Sequence, residues 1–404
     1  MESTRISLAY GERAVELEIR NANLLVGRRA TIAPDLADPA QAMRDALERP
    51  LDYPPLRLGL TSDDHVAIFI DEGIPDLVHL LVPLLEHLRQ AQVKADAVTL
   101  ICAPPSTGQP WLDELPDEFQ DVQIEVHQPD DRKKLAYLAT TKKDRRVYLN
   151  RTAVDADQLV LLTRRGYDPH VGYAGAELAL FPGLSERSSR DEFAARFDRR
   201  TPGQEPWKIQ REAREIAWLL GAPFFVQVIE GAGDAISHVL AGPLESSAAG
   251  QALLEARWRM TFDRAADVVI ASVTGTPARQ TTEDLGRAFH AAARVVRPGG
   301  SIALLTEATP TLGPGFEAFR SHEDPDLVRR LLLQEKPPDL TASYLWAGAA
   351  AQARLYLLSG LPPDVAEELF TIPLERAGQA QKLLTGDTSC IVLPDAHRTL
   401  AVVE

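Results

Sequence analysis

His170 follows Pro169 in a run, 166–185, that reads GYDPHVGYAGAELALFPGLS. An imidazole titrates near neutral pH, so it can accept or deliver a proton in a reaction. Gly172, Gly175 and Gly183 around it permit the close backbone approach that ligand-binding loops use. The alternative is a structural histidine hydrogen-bonded at a proline turn. Arg164, Arg165, Asp168 and Glu177 flank it and supply charges on which a reaction can be built. A second group follows the run GTPARQ at 275–280: Arg279, then Asp284 and Arg287 on a predicted helix. Arginines there can clamp a carboxylate or phosphate at the helix N-terminus, or can belong to a solvated helix face.

Other residue types offer less. Cys102 closes an apolar run, where a lone cysteine is far more often inert packing than a nucleophile. The remaining histidines are scattered, with no His-x-x-x-His or His-x-His pair, so no metal site is expected. Neither a Gly-x-Ser-x-Gly elbow nor a phosphate-binding Gly-Lys-Ser/Thr loop occurs.

The elements that must position these groups alternate between strand and helix. Residues 15–25 alternate as a strand, and 39–49 predict a short helix. Val66-Ala-Ile-Phe-Ile70 is a continuous apolar run of the kind that forms a buried parallel strand. Leucines 77, 80, 81, 84, 85 and 88 then fall at helical spacing, and 97–102 is the next strand. Further strands are expected at 124–127, 147–150 and 158–162, and an antiparallel pair at 224–229 and 236–240. A helix over 206–220 precedes that pair, and a long Ala-rich helix over 246–264 is placed to bridge two domains. A second β-α-β unit spans 267–306, followed by helices at 324–334, 342–358 and 363–369 and a strand at 389–393. The fold class is α/β, with two Rossmann-like domains, residues 1–260 and 261–404, and a cleft between them.

Composition sets outer bounds. The 404 residues are 45% hydrophobic and 25% charged, which suits two globular domains. A formal net charge of −15 disfavours nucleic acid and anionic membrane as partners, so an anionic substrate needs local arginine. The charged N-terminus lacks a signal-peptide core, and no apolar run approaches the ~20 residues of a membrane span. The expectation is a soluble cytoplasmic protein whose oligomeric state is unreadable.

These segments, taken in order, resemble the lactate racemase family, whose members use a nickel-pincer nucleotide to move hydride at a 2-hydroxy acid. The likeness rests on 49–71, 145–163, 167–185, 205–242 and 266–306, ending in the Arg297-Pro-Gly-Gly300 turn. It implies an isomerase, a racemase or epimerase of a 2-hydroxy acid or sugar acid, with a nickel-pincer nucleotide and a small anionic metabolite in the cleft. His170 corresponds to one of the family's two acid/base histidines. Asp71, Tyr173 and Glu177 line the implied cleft, Arg279 and Arg287 bind anionic groups, and Trp346 walls a pocket or fills the core. Other positions differ from the family's pattern. Ile74 stands where the family has arginine, Cys102-Ala103-Pro104 where it has Gly-Thr-His, Leu178 where it has the cofactor-anchoring lysine, and Ala194 nearest its nickel-ligating histidine. The same scaffold with another reaction, or with ligand binding alone, is the alternative.

Overall fold

The computed structural model describes residues 2–30, 33–104, 108–194, 196–197, 202 and 207–404. Glu205 and Pro206, which fall within runs read above, lie outside the described residues. The chain forms two compact units, one of Ala33–Gly231 with Ala235–Glu255, the other of Met1–Ile32, Ala232–Asp234 and Ala256–Glu404.

The chain opens with an antiparallel hairpin, β1 (Ser3–Tyr10) and β2 (Arg13–Arg20). The first unit is built on β3 (Val66–Ile70), β4 (Val98–Cys102), β5 (Gln123–Val126), β8 (Gln158–Arg164), β11 (Phe224–Glu230) and β12 (Ile236–Gly242). They lie in the order β12-β11-β8-β3-β4-β5, all parallel except β12. Every residue of β3 is buried because helices cover both faces of the sheet. Its side chains alternate accordingly. Val66, Ile68 and Ile70 join the leucines of helix Leu77–Gln90 in one core, and Ala67 and Phe69 join Phe181, Ile216 and Ala217 in another. Residues 147–150 do not extend this sheet. They belong to β7 (Arg146–Asn150), which pairs with β6 (Leu135–Thr140) as a separate hairpin.

Strand order reverses between β3 and β8. The chain adds β4 and β5 on one side of β3, then returns to place β8 and β11 on the other. Ligands of open α/β sheets bind outside the carboxyl ends of strands at such a switch point. Directly after β8 the chain makes a small antiparallel hairpin, β9 (Gly166–Asp168) and β10 (Gly172–Ala174).

The second unit carries a five-stranded parallel sheet in the order β17-β16-β15-β14-β18. These strands are β14 (Ala266–Ser272), β15 (Val296–Leu305), β16 (Arg354–Leu358), β17 (Thr371–Pro373) and β18 (Cys390–Leu393), and β13 (Arg259–Phe262) pairs with β19 (Leu400–Val403). This unit differs from the expected domain 261–404 because it includes the N-terminus. Leu8, Tyr10, Leu17 and Ile19 of the hairpin pack with Val268, Ile270, Ala303 and Leu305, and Cys390 N–H donates to Asn23 O at 2.7 Å. Two predicted helices are shorter than expected. The run 342–358 divides into helix Leu340–Gln352 and strand β16, where buried Leu355 and Leu357 alternate at period two beside β15. The run 246–264 divides into helix Ser247–Trp258 and β13.

Among the described residues no helix is long and apolar enough to cross a membrane. His290, in helix Thr282–Ala293, has its pKa lowered to about 4 by burial and by the charges of Arg294 and Arg287. An unfolded histidine takes its proton near pH 6.5. The unfolded chain therefore binds more protons between these values, so stability is complete above pH 6.5 and declines as pH falls toward 4. Thermal unfolding across that window will show a falling Tm, and His290→Gln will flatten the slope relative to wild type.

Candidate functional site

Asp71 follows the last residue of β3, and Arg164 is the last residue of the adjacent β8, so both stand at the switch point. Their side chains meet in a bidentate pair, with Arg164 Nε donating to Oδ2 at 2.9 Å and Nη2 to Oδ1 at 3.0 Å. Two backbone groups complete the carboxylate's shell: Arg164 N–H at 3.2 Å and Gly73 N–H at 3.0 Å. Burial pushes the Asp71 pKa up, but the Arg164 charge and these hydrogen bonds outweigh it and hold the group below its usual range. Glu230, at the end of β11, lies 3.9 Å from the same guanidinium. Gly73 leaves room for that guanidinium, since a Cβ there would collide with it.

Arg165 turns the other way and is almost fully buried. Its Nε donates to Gln227 Oε1 at 2.6 Å, and its Nη2 donates to Glu177 Oε2 at 3.1 Å. Gln227 in turn donates to Ser246 Oγ at 2.9 Å. Desolvation pushes the buried Glu177 carboxyl up, yet the Arg165 charge and hydrogen bonding hold it below the ordinary carboxylate range.

The β9–β10 hairpin carries His170 near its tip. Gly172 has φ +82°, which favours glycine there. Asp168 Oδ1 accepts the His170 backbone N–H at 2.8 Å, an Asx turn that fixes the tip. The ring lies 4.2 Å from Phe197 by centroids, and Nδ1 is 2.9 Å from the Arg196 carbonyl. A carbonyl only accepts, so Nδ1 carries the hydrogen and the lone pair of the neutral ring sits on Nε2. Tyr173 is buried, donates its hydroxyl to Glu255 and packs on Tyr167.

Sequence reasoning named Asp71, Arg164, Arg165, Asp168, His170, Tyr173 and Glu177 in this unit, and the structure joins Asp71 to Arg164, Glu177 to Arg165 and Asp168 to the His170 backbone. Sequence reasoning missed Gln227, Glu230 and Glu255, which reach these residues through strand pairing and a distant helix and carry no local motif. Two glycines mark the Arg165 contacts in the sequence: a Cβ at Gly175 would stand 2.9 Å from Arg165 Cζ, and one at Gly250 would stand 2.9 Å from Arg165 Nε.

The other expected residues belong to the second unit. Arg279 lies 3.6 Å from Asp234, whose carboxylate accepts the Thr276 N–H and hydroxyl, each at 2.7 Å. Asp284 forms a capping box with Thr281 at the start of helix Thr282–Ala293, and Arg287 pairs with Glu283 one turn apart. Beside them opens a pocket of about 590 Å³ lined chiefly by Gln280, Thr281, Thr282, Glu307, Thr309 and Thr311. Trp346 does not wall a pocket. It is wholly buried, packs on Phe289 and Phe316, and donates its indole N–H to Leu369 O at 2.9 Å, so its chemistry is spent in the core. Both cysteines are buried thiols, and burial pushes Cys390 up to about 12.

The fold and site define an α/β protein of two parallel-sheet units, the first with a histidine hairpin and paired charges at its switch point. Residues 10–193 match the family model described as the lactate racemase N-terminal domain. The chain is 22% identical to the lactate racemase of Thermoanaerobacterium thermosaccharolyticum over 419 aligned positions, covering 96% of this chain and 97% of that one. The apoprotein structure of lactate racemase from that organism superposes with a TM-score of 0.82 at 19% identity, covering 98% and 100% of the two chains. A Thermotoga maritima protein of known structure shares the fold at a TM-score of 0.63 and 11% identity, over 92% and 100%. Residues 10–193 thus carry the lactate racemase N-terminal domain, and the chain is similar to lactate racemase over nearly its whole length.

As a core residue, Trp346 has a defined mutational signature. Trp346→Phe will lower the unfolding free energy by about 1–3 kcal/mol through lost packing and a lost hydrogen bond. Denaturant titration reads that loss.

Proposed function

We propose that this chain is a racemase or epimerase of a small 2-hydroxy acid or sugar acid, with the family's nickel-pincer chemistry altered or lost. The observation that carries the reading is the His170 geometry within a chain whose residues 10–193 match the lactate racemase N-terminal domain. His170 sits on a hairpin that leaves the central strand at the switch point, and an imidazole with its hydrogen on Nδ1 has its basic nitrogen at Nε2. In this role Nε2 takes the C2 hydrogen as a proton, the electron pair of the C–H bond moves into the enediolate of the adjacent carboxylate, and a proton returned from solvent to the opposite face of C2 completes the inversion.

The residues present do not fit the family's cofactor. Leu178 ends the short helix Ala176–Leu178 and packs against the apolar core, offering no amine for attachment. Ala194 offers no metal ligand, and among the described residues no group of three His, Cys, Asp or Glu is arranged to hold a metal. Arg279 and Arg287 each face a carboxylate of their own unit, so an anionic substrate engages them by sharing or exchanging those partners.

Exchange of the C2 hydrogen, followed by NMR in deuterated buffer across 2-hydroxy acids and sugar acids, tests this reading. One or more acids will exchange with inversion at C2, and His170→Ala will lower kcat about 10²–10⁴-fold. No exchange with any acid would remove the racemase assignment. Unaltered kcat in His170→Ala would remove His170 from the reaction.

A further inference from the structure

We infer that the buried Arg165–Glu177 ion pair is a positioning element for His170, closing the base of the hairpin that carries it. This rests on the reading of His170 as the proton-transfer group. The two residues stand twelve apart in sequence, Arg165 just before β9 and Glu177 just after β10, with His170 between them. The hairpin is weak on its own, because each strand has only three residues and an isolated two-stranded hairpin is marginal in water. Its geometry therefore depends on what holds its two ends.

Both ends are fixed through this pair. The Arg165 N–H donates to Val228 O at 2.8 Å, so its backbone continues the β8–β11 ladder, while its side chain is buried and held by Gln227. Glu177 is buried at the start of the turn where Leu178 and Ala179 N–H both reach Gly175 O at 3.0 Å. Gly175 makes the approach possible, since a Cβ there would lie 2.9 Å from Arg165 Cζ. Burying two charges brings little net stability relative to apolar packing, but it demands one geometry. Loss of either partner strands the other in the interior, so the hairpin base has a single satisfied arrangement. At the tip the Asp168 turn and the Arg196 carbonyl then select the ring's orientation and tautomer.

The test combines Glu177→Gln, Arg165→Met and the double variant, in the full chain, with circular dichroism as the check on folding. Two-bond ¹H–¹⁵N correlation spectra of the histidine rings report the His170 tautomer and its titration midpoint, assigned by loss of the signal in His170→Ala. Wild type will show a single Nδ1–H form. Folded Glu177→Gln will show mixed tautomers and a displaced midpoint, and kcat will fall at least tenfold with KM less affected. Glu177→Asp will restore part of both. The double variant, which leaves no stranded charge, will fold at least as well as the single variants yet keep the displaced His170 signature. If folded variants lose thermal stability but keep the His170 tautomer and midpoint of wild type, the inference is overturned and the pair is only structural. If the signatures shift as expected while wild type exchanges no acid, the proposed reaction fails and the positioning role stands.

Discussion

Two consecutive arginines at the end of a central strand organise the first unit. Residues adjacent on a strand point to opposite faces, and Arg164 and Arg165 use that alternation to reach different partners. Arg164 crosses to the end of β3 and ties the switch point through Asp71. Arg165 goes inward and closes the base of the histidine hairpin through Glu177. Neither guanidinium would fit if Gly73 or Gly175 carried a side chain. The constraint is thus steric as well as electrostatic: the glycines provide the space, the carboxylates the compensation, and the strand the direction.

This arrangement also sets what the edge can recognise. A cation already chelated by one carboxylate and approached by a second is a poor isolated anion site. It is a good rigid corner. Arg164 pairs with Asp71 from β8 in a chain whose residue 74 is isoleucine, so positive charge at this turn comes from the neighbouring strand and not from the turn itself. The second unit has a comparable device at its own strand reversal, between β14 and β18. There the Thr274 hydroxyl donates to buried Asp395, whose pKa burial pushes up despite Arg398 nearby. In both units polar groups at the carboxyl ends of parallel strands are satisfied internally, which keeps loops in place where backbone groups would otherwise be orphaned.

Periodicity made most of the scaffold legible. The all-apolar β3, the leucine helix after it and the hairpin of β11 and β12 lie where the patterns put them, because burial on one or two faces writes a period directly into sequence. The failures have physical causes. In 342–358 an alanine-rich helix runs into Arg354–Leu358, and only pairing with β15 makes those five residues a strand. The packing of residues 3–20 with strands more than 240 positions away is a tertiary fact with no local trace. Of the site, His170 and its glycines were legible because turns and titratable groups have residue-type signatures. Gln227 and Glu255 were not, since a glutamine or glutamate on a regular element reads as ordinary until its partner is known. Trp346 shows the converse: an aromatic that reads equally as pocket wall or core is settled by its indole N–H finding a backbone carbonyl.

The loop of 166–185 therefore separates two properties that a family likeness joins. Its shape residues act through backbone geometry: Gly172 at φ +82°, Gly175 against Arg165, and the Phe181-Pro182 cis bond. A scaffold can keep these whatever reaction it serves, because they determine whether the chain closes. Its chemical residues act through functional groups, and there a single substitution is decisive, as an aliphatic chain at 178 lacks the nitrogen an amine supplies. His170 belongs to both sets. Its backbone N–H caps the turn and its ring carries a proton, so the hairpin's shape and its one acid/base group depend on the same residue. An imidazole whose tautomer is fixed by a carbonyl of its own chain needs no cofactor or metal to be oriented.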